Sequence, residues 1–192
     1  MNGKTLFSHL PEPTLRDQYI KLRQRTYLVH YPCLSSTFGL CEPDDYLGDI
    51  VVAHDGDTVL GGARLNWTAP AAPRALPLES RDFRLAEIAP ELCGAPYGEI
   101  SRYAVTPEAS GDGAVGLEIA RAMCSRATAR GIATLFSMCP PAVARLNRRN
   151  AKLCGVGFVY FAGLTVPNPF GLQMTLCAYT NVGQYLSLGA AA

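Results

Sequence analysis

Gly98-Glu99-Ile100-Ser101-Arg102-Tyr103-Ala104-Val105 is the stretch on which the fold turns. A Glu and an Arg three apart, in a run otherwise rich in Ile, Tyr and Val, predict a short strand that carries a charged pair into the protein. Glu108-Ala109-Ser110-Gly111-Asp112-Gly113 follows, and an apolar-periodic run extends from Gly113 to Arg130. The predicted order is strand, glycine turn, helix N-terminus, and the free backbone N–H groups of a helix N-terminus can hold an anion. This strand and turn form the expected spine of a functional site.

Upstream of the spine, residues 14 to 31 place Leu15, Tyr19, Leu22, Tyr27 and Leu28 among charged residues, which predicts an amphipathic helix ended by Pro32. Arg23 and Tyr27 are four apart and share one face of it, as a solvated charge beside a core aromatic or as part of a site. Residues 33 to 48 read as a loop with the acidic cluster Glu42, Asp44 and Asp45, a kind of cluster whose usual role is solvation. A hairpin is predicted next: Asp49 to His54, a turn at Asp55-Gly56-Asp57, then Thr58 to Leu65. Its second strand carries Arg64, and Gly61-Gly62 signals a bulge or a close backbone approach. Residues 66 to 82, with three prolines at 70, 73 and 77, read as a long loop, and Phe83 to Leu92 as a short helix.

Downstream, Ile132 to Met138 reads as a buried strand between Gly131 and Pro140. A helix then runs from Pro140 to about Leu153, with Pro in the first turn where it is tolerated. Arg145, Arg148, Arg149 and Lys152 recur on it at spacings of three and four and form one basic face. Gly155 to Phe161 and Leu172 to Tyr179 read as closing strands around a Pro-Asn-Pro-Phe-Gly loop, and Gly189 to Ala192 as a frayed tail. The sum is helix, hairpin, strand, helix, strand, helix, strand, strand, an α/β sandwich with a mixed sheet.

With 192 residues, 48% hydrophobic and 17% charged, the chain can bury a core, and a single domain over residues 1–192 is expected. A formal net charge of +1 gives no whole-protein attraction to nucleic acid. No apolar run reaches the ~20 residues of a membrane span. The N-terminus lacks a signal-peptide core, so a cytoplasmic protein is expected. The seven cysteines form no Cys-x-x-Cys pair and read as reduced, mostly buried thiols; with only three histidines besides, no metal site is expected.

This order of elements resembles the N-acetyltransferase (GNAT) superfamily, which implies a three-layer α/β/α sandwich with a mixed central sheet. In that fold the pantetheine arm of an acyl donor lies beside the spine strand, and the following loop and helix N-terminus bind its phosphates. The resemblance points to Tyr103, Val105, Gly111 and Gly113 as donor-binding positions. The phosphate loop here reads Glu108-x-x-Gly111-x-Gly113, where the family usually opens with Gln or Arg. Glu108 and Asp112 put negative charge where coenzyme A would bring its pyrophosphate, which favours a carrier-protein donor with one phosphate.

Within that superfamily the chain is similar to the acyl-homoserine-lactone synthases. The matching elements are Arg23-x-x-x-Tyr27, Glu42-x-x-Asp45, Arg64 on the strand after the hairpin turn, and Glu99-Ile-Ser-Arg102, in the family's order, from about residue 15 to 160. Tyr27 and Glu42 stand where the family usually has Phe and Asp, and the only Trp is Trp67 rather than one shortly after Tyr27. The resemblance implies an acyl-phosphopantetheine donor on an acyl carrier protein, docked through Arg145 and Arg149, and S-adenosylmethionine as acceptor, with no permanently bound cofactor.

The chemistry of amide formation from a thioester needs a free amine, a stabilised oxyanion and aligned reactants. Glu99 is the candidate base, directly or through water, and a backbone N–H near Tyr103 to Val105 the candidate oxyanion donor. Arg23, Arg64 and Arg102 with Glu42 and Asp45 are expected to form an ion-pair network, in which one Arg could meet an acceptor carboxylate. The same cluster could instead only stabilise the fold. Three functions stay open: acyl-homoserine-lactone synthase, N-acyl amino acid synthase acting on a free amino acid, and a non-catalytic binding module.

Overall fold

The computed structural model describes residues 6–32, 41–68, 73–111, 113–164 and 173–185. Cys33, Asp112, the loop at Pro167 to Gly171 and the tail from Gly189 lie outside the described residues. In chain order the elements are β1 (Leu6–Ser8), α1 (Pro13–His30), α2 (Asp44–Leu47), β2 (Asp49–Asp55), β3 (Thr58–Trp67), α3 (Leu85–Ile88), β4 (Tyr97–Val105), α4 (Pro107–Ser110), α5 (Ala114–Ala129), β5 (Thr134–Cys139), α6 (Pro141–Leu153), β6 (Gly157–Tyr160) and β7 (Thr175–Thr180). The strands form a seven-stranded sheet in the order β1-β2-β3-β4-β5-β7-β6. All the described ladders are antiparallel except β4 with β5, where α5 supplies the crossover that a parallel pair requires. The mixed sheet of the α/β class expected from the sequence is therefore present.

Contacts divide the chain into two compact units, residues 1–65 with 101–122 and residues 66–100 with 123–192. In the first unit, α1 begins with Pro13, whose missing N–H costs nothing at a helix start. It buries Tyr19, Ile20 and Leu22 against Ile50 and Val52 of β2, Val59 of β3 and Ala104 of β4. The two glycines of β3 answer the expectation of a bulge or close approach with both. Ala53 pairs with Gly61 while His54 pairs with Val59, so Leu60 is the extra residue of a bulge. A Cβ on Gly62 would stand 2.6 Å from the Val51 carbonyl oxygen and 2.8 Å from the Tyr19 ring. Only glycine leaves room for the Tyr19 ring there.

In the second unit, Tyr97–Glu99 of β4 pair in parallel register with Thr134–Phe136 of β5. Leu76, Phe83, Leu85 and Ala89 close over Phe136, Leu176 and Ala178 to make the core, and Tyr97 meets Phe136 edge-on at 5.8 Å between ring centres. Ala144 of α6 seals a smaller cluster with Cys139 and Cys177. The six described cysteines are free thiols, four of them buried.

Three local expectations change in detail. The segment 33–48, read as loop, contains the single turn α2. The helix expected over 83–92 is two short turns, because Pro90 forces Ala89 out of the helical region, to φ −141°. The glycine turn after the spine strand is itself partly helical: Thr106 caps α4 by accepting the Ala109 N–H at 3.3 Å, and Pro107 fills its first position.

Candidate active site

Five of the residues singled out in the sequence meet in the first unit as a chain of alternating charge. Arg23, on α1 and fully buried, donates from Nη1 and Nη2 to the two carboxylate oxygens of Asp45, both at 2.9 Å. Arg64, on β3 and equally buried, donates from Nη1 to Asp45 Oδ1 at 3.0 Å and to Glu42 Oε2 at 2.8 Å. Its Nε reaches Ser101 Oγ at 3.3 Å. Its Nη2 is buried with no hydrogen-bond partner among the described residues. Arg102, on β4, donates from Nε to both oxygens of Glu42 at 3.0 and 3.1 Å. The chain Arg23–Asp45–Arg64–Glu42–Arg102 thus runs from the fully buried end at Arg23 to an end where the Glu42 and Arg102 side chains are 24% and 25% exposed.

The acidic cluster read first as solvated surface is therefore divided: Asp45 is buried, while Glu42 and Asp44 are half-buried. The one-turn helix α2 aims Asp45 back so that its Oδ2 also accepts the Glu42 backbone N–H at 2.8 Å. Burial alone would raise the Asp45 carboxyl, but its hydrogen bonds from Arg23 and Glu42 N–H and the charges of Arg23 and Arg64 outweigh that and hold it at about 2. Burial pulls Glu42 up in the same way, and the charges and hydrogen bonds of Arg102 and Arg64 take it below the usual carboxylate range. Both carboxylates are ionised at neutral pH, and the three guanidinium groups leave the cluster one positive charge in excess.

Arg102 holds a second abnormality. Its φ is +57°, in the left-handed region that bulky side chains avoid. Two contacts hold it there: the Glu42 pair on its side chain, and the Tyr19 hydroxyl, which donates to its carbonyl oxygen at 2.5 Å. The backbone of β4 therefore turns within the strand, just ahead of Tyr103. Tyr103 is pushed up to about 12 by burial, and its hydroxyl lies over Gly116 in the first turns of α5, where any Cβ would strike it. Gly113, the residue before α5, has φ +73°, and Gly111 is exposed with open space around its Cα. Val105 is half-buried at the end of β4.

Glu99 belongs to the second unit. It is 5% exposed, and its Oε2 accepts the Leu78 backbone N–H at 2.9 Å. Arg145, Arg148, Arg149 and Lys152 are all exposed along α6. Sequence reasoning did not single out Tyr19, Gly116 or the Leu78 N–H. Tyr19 and Gly116 carried no signal beyond apolar periodicity, and a backbone donor carries none at all. No group of three or more His, Cys, Asp or Glu among the described residues could hold a metal ion. No helix among them is long and apolar enough to cross a membrane.

This architecture is a GNAT-like α/β fold. A putative N-acetyltransferase from Lactobacillus plantarum superposes with a TM-score of 0.61 at 17% identity, covering 93% of this chain and 97% of that one. The chain is similar in particular to FeeM, an N-acyl amino acid synthase from uncultured soil microbes, with a TM-score of 0.65 at 16% identity over 96% of this chain and 94% of FeeM. It is also similar to BjaI, a coenzyme A-dependent acyl-homoserine lactone synthase solved with S-adenosylmethionine and isopentyl-coenzyme A, with a TM-score of 0.64 at 21% identity over 91% of this chain and 79% of BjaI. At these identities the likeness establishes the fold. No protein-family model and no curated protein sequence matches the chain.

Proposed function

We propose that this protein is a cytoplasmic N-acyltransferase that moves a fatty acyl group from acyl carrier protein to the amine of S-adenosylmethionine, giving an N-acyl-homoserine lactone. The observation that carries the reading is the alternating charge chain from Arg23 to Arg102, assembled from α1, α2 and its approach, β3 and β4. A cluster with excess positive charge that surfaces at Arg102 and Glu42 suits an amino-acid acceptor, whose carboxylate an Arg can bind in two places. Glu99, three residues before Arg102 on β4, is the proposed base. It takes a proton from the attacking amine, directly or through one water. The amine nitrogen then bonds to the thioester carbonyl carbon, a backbone N–H of Tyr103 to Val105 holds the oxyanion, and the carbon–sulfur bond breaks to release the pantetheine thiol. With S-adenosylmethionine, its carboxylate oxygen afterwards attacks Cγ and expels methylthioadenosine, closing the lactone.

A second reading, synthesis of an N-acyl amino acid from a free amino acid, is favoured by one observation. The only tryptophan, Trp67, lies under Arg130 at 3.9 Å in the second unit, and none stands shortly after Tyr27. The likeness to FeeM supports the same reading. Mass spectrometry of lipid extracts from cells expressing the protein separates the two, since a lactone and an acyl amino acid differ in mass. Purified protein offered acyl carrier protein and acyl-coenzyme A thioesters identifies the donor. Arg102→Ala should abolish product while the protein stays folded by circular dichroism, and Glu99→Gln should slow turnover most at low pH, where free amine is scarce. Normal turnover by either folded variant removes that residue's role. No acyl product with any pairing leaves a non-catalytic binding module.

A further inference from the structure

The loop that caps Glu99 is organised around another carboxylate. Glu79 accepts the Leu76 N–H on Oε2 at 2.8 Å and the Leu85 N–H on Oε1 at 2.9 Å, so one side chain joins the two ends of the segment 76–85. Within it, the Glu79 N–H returns to the Leu76 carbonyl at 2.8 Å, and Ser80 and Phe83 exchange backbone hydrogen bonds at 3.0 and 3.3 Å. Leu76 and Leu85, at the clamped ends, are 1% and 0% exposed. Leu78 lies between the clamped ends, and its N–H donates to Glu99 Oε2. We infer that Glu79 is a positioning residue: by tying Leu76 to Leu85 it presents the Leu78 N–H to Glu99 and so sets the orientation and basicity of that carboxylate. This deepens the role proposed above for Glu99 as the base and rests on that reading only for its catalytic consequence.

Other ionisable groups around the knot include Arg81, Asp82 and Arg84 within the segment, Tyr97, two residues before Glu99 on β4, Cys93 after the Pro90–Leu92 turn, and Glu91. Burial, and after it the charge of Glu79, pushes Tyr97 up to about 12 and Cys93 up to about 11, so both stay neutral below pH 9. The informative substitution is Glu79→Asp. It keeps the negative charge and is one methylene too short to reach both amides, so it loosens the segment that presents the Leu78 N–H to Glu99.

The titration of Glu99 can be followed by carbon-13 NMR of its carboxyl carbon, assigned by the resonance missing from Glu99→Gln. A carboxylate that loses one backbone N–H donor becomes more basic, so the Glu99 midpoint should rise by about one pH unit in Glu79→Asp. Should Glu79→Asp fail to fold, the wild-type protein supplies the test: the Leu78 amide proton should shift with the Glu99 titration, and this step should vanish in Glu99→Gln. A Glu99 midpoint unmoved in folded Glu79→Asp, or a Leu78 amide that ignores Glu99, overturns the inference. If the protein turns over acyl donor, the acid limb of kcat/KM should move upward with the NMR midpoint. A wild-type protein without acyl transfer but with the NMR shift overturns the proposed function and leaves the positioning role of Glu79 standing.

Discussion

Asp45→Asn tests the buried end of the charge chain. The substitution keeps the shape and leaves Arg23 and Arg64, both fully buried, with their shared counter-charge gone. Removing one partner of a buried ion pair costs about 3–5 kcal/mol, which for a chain of this size lowers Tm by about 10 °C. The pH dependence gives an independent measure. Asp45 titrates at about 2 in the folded protein, against 3.8 for the free side chain. Because the folded value is the lower one, its contribution is present above the unfolded value and is lost as pH falls through the folded one. At 1.36 kcal/mol per unit it is worth about 2.4 kcal/mol at pH 7, almost unchanged at pH 5 and about half gone by pH 3. Urea unfolding of wild type and Asp45→Asn, followed by circular dichroism at pH 7, 5 and 3, should show a gap of several kcal/mol that narrows by about 1 kcal/mol between pH 5 and pH 3. A gap below about 1 kcal/mol at pH 7 would refute the assignment of Asp45 as the counter-ion that both arginines need, as would a gap independent of pH.

Two further outcomes follow from the geometry. Gly62→Ala forces a methyl against the Val51 carbonyl and the Tyr19 ring and should destabilise the protein by about 1–3 kcal/mol, whereas Gly111→Ala, which meets nothing within 4 Å, should unfold at the wild-type urea midpoint. Equal midpoints for the two would show that the Tyr19 contact is not tight. Arg145→Glu with Arg149→Glu should raise the KM for acyl carrier protein with little change in kcat, and the wild-type KM should climb between about 50 and 300 mM salt as screening shortens the reach of the exposed charges. A KM unmoved in both experiments, or equal use of acyl-coenzyme A, argues against carrier docking on α6.

The strands and longer helices were legible because their signals are local. The Ile-, Tyr- and Val-rich run from Gly98 to Val105, the Gly56-Asp57 turn with φ +55° at Gly56, and Pro13 and Pro141 at helix starts each act within a few residues of themselves. The charged residues of the candidate site stood out as a set through their order along the chain, Arg23, Glu42, Asp45, Arg64, Glu99 and Arg102, which resembles that of the acyl-homoserine-lactone synthases. Short turns such as α2 and α4 were not, because one hydrogen-bonded turn has almost no periodicity to read.

What the amino-acid sequence determined by itself was the order of elements and the types of group available for chemistry. Which carboxylate serves which arginine was decided only by the tertiary structure, because Arg23 meets Asp45 across 22 residues and Arg102 meets Glu42 across 60. Such pairings depend on sheet register and on where α1 lies, and no local preference encodes either. The same holds for the left-handed backbone of Arg102, which the Tyr19 hydroxyl and Glu42 hold in place, and for the Leu78 N–H that meets Glu99. A backbone donor is identical at every position until the chain folds, so its role comes from where the fold puts it.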